Sequence, residues 1–156
     1  MKRNILMLLS LTTIVVVVCN NGIAGPFDTS LSSKVPDELT KWAWTRFDYS
    51  GNVSTQRSIK FFNVGNQGRF KRDFIMEDFY SVTEGTVKFE GDKYTIYPVK
   101  VEFLKGKGNE KSALRSRTYR WEIRKKDGTT YLYEFDEKDV NHNSPNVLKG
   151  VPLESD

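Results

Sequence analysis

Hydrophobic and polar residues alternate with a period of two in several stretches of this chain, and turn-forming residues separate these stretches. Alternation of this kind is typical of β-strands with one buried face. Pro98 indicates a bulge, an edge or a break within its strand. A single helical turn is expected at 36–39, before the first strand. The pattern predicts strands at residues 41–49, 56–64, 69–76 (continued by 78–82 after a kink), 84–90 and 93–104.

The clearest pattern is a hairpin over residues 116–135. Tyr119, Trp121 and Ile123 share one face of its first strand, and aromatic residues alternate again on the return. Asp127-Gly128 between them is a typical hairpin turn. The recurring period-two alternation predicts an all-β fold. No internal repeat or interdomain linker interrupts the chain, so one domain is expected. We expect a single antiparallel up-and-down meander of seven or eight strands that closes into a barrel.

The N-terminus resembles an export signal. Lys2 and Arg3 precede an apolar run of about 14 residues, which is shorter than the ~20 that a membrane-spanning helix needs. Cleavage after Ala24 would make 1–24 a signal peptide. Alternatively, Val16-Val17-Val18-Cys19 resembles a bacterial lipobox, which would make 1–18 a lipoprotein signal and Cys19 the lipidated residue, although Val18 is bulkier than the motif's usual residue. We therefore expect an extracytoplasmic protein that is secreted, periplasmic or lipid-anchored.

Composition changes when this leader is set aside. Residues 26–156 contain 44 hydrophobic residues, of which 20 are Phe, Trp or Tyr, and their charge is 22 basic minus 20 acidic residues, or +2. Aromatic richness favours strands, and the small net charge gives no reason to expect nucleic-acid binding. The expected organisation is a polar tether at 25–39, a β-barrel domain at 40–140, and a tail at 141–156 packed on or near the barrel.

The reactive residues are few. One Cys and one His cannot form a Cys/His zinc cluster or a disulfide framework. A Cys-His catalytic couple would use both residues and leave no further Cys or His. The acidic group Asp136, Glu137 and Asp139 lacks the Gly and distal Glu of a calcium-binding EF-hand loop. No catalytic motif is present, so we expect no enzyme activity, no metal site and no cofactor.

Two groups of residues are candidate binding sites. Trp42, Trp44 and Arg46 share a strand face with Asp48 and would form either a ligand-stacking wall or a packed core capped by a charge pair. Tyr119 and Trp121 are further ligand-binding candidates. The interval 105–126 carries nine basic residues against two acidic ones. It is either a solvated loop and hairpin or a surface for lipid head groups, lipopolysaccharide or anionic glycans. Its anion-contacting candidates are Lys105, Lys107, Arg115, Arg117, Arg120 and Arg124.

The Trp-rich first strand at 42–44 and the hairpin at 84–96 resemble those of small exported bacterial lipocalin-like domains. The resemblance covers residues 40–136, and Thr40 stands where the lipocalin Gly-x-Trp signature has its glycine. It implies a lipocalin-like barrel with a cup for a small ligand and no catalysis.

Two functions remain open from the sequence. The first is a non-enzymatic envelope or secreted protein that binds a small apolar or amphipathic ligand in an aromatic-lined barrel. The second is an interaction or inhibitor-type protein that docks an acidic partner or anionic surface through the hairpin at 105–126. A cavity of several hundred cubic ångströms lined by Trp and Tyr would favour the first, and a dry, filled barrel with an exposed basic patch at 105–126 would favour the second.

Overall fold

The structure, a computed structural model, describes residues 29–50, 53–138 and 144–153 and forms a closed antiparallel barrel of eight strands. Each strand pairs with the next, and the last pairs with the first. The predicted all-β meander is therefore confirmed. The strands are β1 (Trp42–Ser50), β2 (Val53–Val64), β3 (Gln67–Met76), β4 (Phe79–Glu90), β5 (Lys93–Lys105), β6 (Arg117–Lys126), β7 (Thr129–Asp136) and β8 (Asn146–Pro152).

The helical elements are short. A 3₁₀ turn (Thr29–Leu31) and the helix α1 (Asp37–Thr40) precede the barrel, and α2 (Glu110–Ala113) lies between β5 and β6. The helical turn expected at 36–39 is thus present, shifted by one residue. Among the described residues, no helix is long and apolar enough to cross a membrane.

The hairpin predicted at 116–135 is confirmed. Strands β6 and β7 pair from Lys126↔Thr129 outward. Asp127 and Gly128 both adopt positive φ, at 49° and 72°, as a two-residue turn of this handedness requires. Gly91 and Asp92 form a further two-residue turn, which joins β4 to β5.

The expected kink near residue 78 is wrong, because the chain reverses there. Glu77 and Asp78 form a two-residue turn, and Met76 pairs with Phe79 across it. Residues 78–82 therefore do not prolong β3. Phe79 begins β4, which continues without interruption to Glu90. The turn has no glycine, asparagine or proline, and Asp78 alone is only a weak turn signal in the sequence.

The C-terminal segment forms part of the barrel rather than a tail against it. Strand β8 pairs with β7 and with β1, and the barrel thus extends to Pro152 instead of ending at residue 140. Leu148 is buried. A Cβ atom at Gly150 would lie 3.0 and 3.1 Å from the rings of Trp42 and Trp44, so the absence of a side chain lets β8 approach β1 closely.

The end of the barrel where β2 turns into β3 is closed by the segment that precedes β1. Val35 and Leu39 are fully buried, so the last part of the expected tether belongs to the core. The Asn63 amide accepts from the Val35 N–H at 2.8 Å and donates to the Val35 carbonyl at 3.2 Å. Ser33 bonds across to the backbone of Val87 and Phe89 on β4. We call this end of the barrel the floor.

Replacing Asn63 by alanine is expected to lower the free energy of unfolding by about 1–3 kcal/mol, because it leaves both polar backbone groups of Val35 without their partners. Chemical denaturation measures the change. Asn66→Ala in the exposed β2–β3 turn is the matched control and should stay within about 0.5 kcal/mol of wild type. Equal effects for the two variants would contradict the role assigned to Asn63.

The apolar core occupies the half of the barrel next to the floor. Phe61, Tyr94 and Tyr119 form a row of rings with centroids 5.3 to 5.4 Å apart. Trp44 is fully buried, and its indole N–H donates to the Leu39 carbonyl at 3.2 Å. The inward face of the other half carries polar and charged residues.

Candidate functional site

A cavity of about 310 Å³ occupies the half of the barrel away from the floor. Its walls combine apolar side chains, among them Ile59, Phe74, Ile96 and Leu148, with charged ones. Five arginines line it, against the three carboxylates of Asp73, Glu134 and Asp136. The arginines are Arg46, Arg57, Arg72, Arg115 and Arg117. The cavity is therefore a cationic cup with apolar surfaces.

Strand alternation explains why arginines face inward here. Residues two apart lie on the same face of a strand. Arg57 therefore shares the inward face of β2 with the buried Ile59 and Phe61. Arg72 lies between Phe70 and Phe74 on β3, and the same relation joins Arg46 to Trp44 and Arg117 to Tyr119. On β1, β2 and β6 the apolar row thus ends in an arginine toward the open end, whereas on β3 the arginine lies within the apolar row.

The innermost charged group of the cavity is a cluster of Arg72, Tyr94, Tyr119 and Glu134. The Tyr94 hydroxyl donates a hydrogen bond to the Glu134 carboxylate. The Arg72 guanidinium lies 5.8 Å from the centroid of the Tyr119 ring. Glu134 and Tyr94 are buried, whereas Arg72 keeps part of its surface open to the cavity. The cluster joins the polar cavity to the aromatic core beneath it.

The charge states of this cluster follow from its surroundings. Burial raises the pKa of Glu134, and the nearby Arg72 and the Tyr94 hydrogen bond offset this only in part. Burial also raises the pKa of Tyr94 well above its ordinary value. Burial alone would lower the pKa of Arg72, but Tyr119, Glu134 and Tyr94 together raise it. Arg72 is therefore a permanent cation and Tyr94 a neutral hydrogen-bond donor.

Arg57 is a second cation near the same carboxylate. Its charge acts on Glu134, and its guanidinium lies 5.4 Å from the centre of the Phe74 ring. No carboxylate within the described ranges forms an ion pair with Arg57. Arg46, by contrast, is paired with Asp48 at 2.7 Å and bonded to Asn146 at 2.8 Å. Two cations, Arg57 and Arg72, thus share the single negative charge of Glu134.

The predicted ligand-binding residues divide between the cavity and the core. Arg46 and Tyr119 lie on the cavity wall. Trp42, Trp44 and Trp121 belong to the aromatic core below it, where Trp42 packs 6.0 Å from Trp44 and Trp121 packs 6.0 Å from Phe89. The cavity is therefore lined by arginine and tyrosine rather than by tryptophan.

The predicted anion-contacting residues do not form one surface. Arg115 and Arg117 line the cavity. Arg120 and Arg124 point outward, 4.0 and 4.4 Å from the ring centres of Phe135 and Tyr133. Lys105 bonds to the Glu77 carbonyl and pairs with Asp78 at 3.4 Å, and Lys107 is exposed in the loop that follows β5. Cys19, Asp139 and His142 lie outside the described residues.

Sequence reasoning missed Arg57, Arg72 and Glu134. The signal for Arg72 was present, since a charged residue between two inward-facing phenylalanines must itself face inward. Glu134 likewise shares a face with the buried Leu132. Their convergence depends on how three separate strands are arranged around the barrel, and that arrangement cannot be read from any one of them.

Among residues 29–50, 53–138 and 144–153, no group of three or more His, Cys, Asp or Glu side chains could hold a metal ion. Comparison of the chain with protein-family models and with curated protein sequences finds no match.

Proposed function

We propose that this protein is a non-enzymatic, exported, lipocalin-like barrel that binds a small amphipathic anion in its cavity. The observation that carries the proposal is the convergence of Arg57 and Arg72 on one carboxylate, Glu134, inside a cavity with apolar walls. Export is supported by the leader-like residues 1–24, or 1–18 with lipidation at Cys19. The closed barrel is compatible with the lipocalin-like architecture.

The charge balance of the cavity favours an anion. Five arginines line the cavity against three carboxylates, and two of the arginines, Arg57 and Arg72, act on the same carboxylate of Glu134, so the cavity keeps a surplus of positive charge for a ligand. An arginine matches a carboxylate, sulfonate or phosphate group with two parallel hydrogen bonds. Arg72 is half-buried, so such a bond to its guanidinium is stronger than on the surface, whereas Arg57 is exposed to solvent.

The apolar walls and the volume limit the rest of the ligand. Ile59, Phe74 and Leu148 offer hydrophobic contact beside the arginines. A cavity of about 310 Å³ lies at the small end of the range for ligand pockets, which extends to ~1,000 Å³. We therefore expect an acid with one compact ring system or a short alkyl chain rather than a large lipid.

A pair of matched fluorescent probes tests this function. Anilinonaphthalene sulfonate and phenylnaphthylamine share the same apolar body, and only the first carries a negative charge. In fluorescence titrations of the wild-type protein, the sulfonate is expected to bind at least tenfold more tightly, since a hydrogen bond to a charged group contributes about 1.5–3 kcal/mol. Arg57→Gln should remove most of this preference while leaving the affinity for phenylnaphthylamine nearly unchanged.

The matched control is Arg124→Gln, because Arg124 also lies beside an aromatic ring but faces outward. This variant should bind both probes as the wild type does. Equal affinity of the wild type for the two probes would overturn the proposed function. The same holds if Arg124→Gln weakened sulfonate binding as much as Arg57→Gln, since the probe would then be bound on the outer surface.

A further inference from the structure

The wall of the barrel is incomplete on one side of β5. Strands β5 and β6 pair over only four positions, from Lys93↔Arg120 to Ile96↔Arg117. Beyond Ile96, β5 continues to Lys105 with a strand neighbour only on its β4 side. Nine residues of an extended strand span about 30 Å, so the unpaired edge is long. This edge lies at the level of the cavity.

The segment of residues 106–116, which contains α2, covers this edge in place of a strand. Ser112, Ala113 and Arg115 from this segment line the cavity, opposite Pro98 on β5. At its beginning the segment is held close to β5, where Gly108 packs against the ring of Phe103. Farther along, α2 buries none of its residues, and Asn109 caps it only locally through a bond to the Ser112 N–H at 3.1 Å.

This cover is weakly attached compared with the strands. A segment with few buried apolar contacts opens locally at a low free-energy cost, whereas a paired strand in the core does not. Opening of residues 109–116 would uncover the cavity beside Pro98 without breaking any strand pairing. The side of the barrel therefore offers a second route into the cavity, in addition to its open end.

Arg115 is placed at this opening. Its side chain is exposed to solvent and also borders the cavity. Within the described part of the chain, no carboxylate pairs with it, whereas the neighbouring Arg117 lies 3.8 Å from Asp136. An exposed cation at the mouth of a cleft attracts anions and raises their association rate. Arg115 thus lies between the solvent and the cavity that contains Arg57.

We propose that the ligand enters sideways, between the upper part of β5 and residues 109–116, and that Arg115 determines the specificity for anions at this opening. The inference rests on the proposed function and adds to it the route of binding and the residue that selects the ligand on that route.

Stopped-flow fluorescence with anilinonaphthalene sulfonate tests the inference, since it separates association from dissociation. Arg115→Gln is expected to lower the association rate constant about tenfold at low ionic strength, with the difference shrinking at high salt. The dissociation rate constant should change less than about threefold. Arg115→Lys should restore most of the association rate, and Arg124→Gln should leave both rates as in the wild type.

A second variant tests the route itself. Ala113→Trp places a bulky ring on the partly exposed side of α2 that borders the cavity. It should narrow the side opening and slow association at least about threefold, whatever its effect on the dissociation constant. Association rates that are unchanged in both Arg115→Gln and Ala113→Trp would overturn the inference and leave the proposed function intact. A wild type that fails to bind the sulfonate would overturn both.

Discussion

Replacing Trp44 by alanine is expected to lower the free energy of unfolding by about 3–5 kcal/mol, the range for removing a large buried aromatic side chain. Trp44 is fully buried at the junction of β1 with β2 and β8, where it pairs with Ile59 and Gly150. The substitution also removes the hydrogen bond to the Leu39 carbonyl. Because Gly150 has no side chain, β8 cannot fill the space that the indole leaves.

Phe47→Ala is the matched control for this prediction. Phe47 is an aromatic residue on the same strand but is 58% exposed. Its removal should change the free energy of unfolding by no more than about 0.5 kcal/mol. Urea denaturation followed by far-UV circular dichroism measures both variants. A loss for Trp44→Ala no larger than that for Phe47→Ala would show that the indole does not support the barrel closure.

Arg72→Met is expected to lower the free energy of unfolding by about 3 kcal/mol at neutral pH, the lower end of the range for removing one partner of a buried charge pair. Methionine keeps most of the side-chain length but removes the positive charge that lowers the pKa of Glu134. The buried carboxylate then has only the Tyr94 hydroxyl and the more distant Arg57 to stabilise its charge.

The destabilisation of Arg72→Met should depend on pH in a defined direction. The folded-state pKa of Glu134 is already above its ordinary value and rises further in the variant. A folded protein that binds more protons than the unfolded chain loses stability as the pH rises through the window between the two pKa values. The loss is therefore largest at neutral pH and shrinks on acidification, as Glu134 becomes protonated in the folded variant.

The double variant Arg72→Met with Glu134→Gln separates charge from packing. Glutamine still accepts the Tyr94 hydrogen bond and carries no charge. We expect the double variant to recover most of the lost stability at neutral pH and to lose the added pH dependence. Denaturation at neutral and mildly acidic pH measures this. A loss in Arg72→Met that stays constant with pH would mean that Arg72 does not compensate Glu134.

The architecture was largely predictable because strand alternation is a local property. Hairpins with a glycine at the turn, such as Asp127-Gly128, combine two local signals and were located correctly. The reversal at Glu77-Asp78 was missed because its turn residues carry no such signal. Strand β8 was missed because its short sequence contains a lysine and a glycine and becomes a strand only between β7 and β1. Barrel closure is a long-range property.

The candidate site was less predictable than the fold. Arg46 and Tyr119 were identified from strand faces, and both line the cavity. The tryptophans lie on the inward faces of their strands, as Arg46 and Tyr119 do, but nearer the floor. Strand alternation gives the face on which a side chain lies and not its depth along the barrel. Depth depends on register with neighbouring strands, and this same register brings Arg57, Arg72 and Glu134 together from β2, β3 and β7.

The segment before β1 is held at the floor, and this determines which end of the barrel is connected to any upstream attachment point. Ser33 and Val35 bind the closed end of the barrel, so this segment is held at the end opposite the cavity. Cys19 precedes Thr29 by ten positions, and a chain of ten residues extends at most about 36 Å. A lipid on Cys19 would therefore keep Thr29 within about 36 Å of the bilayer. The cup lies at the end of the barrel opposite the floor, an arrangement that would favour capture of the ligand from solution over its extraction from the membrane.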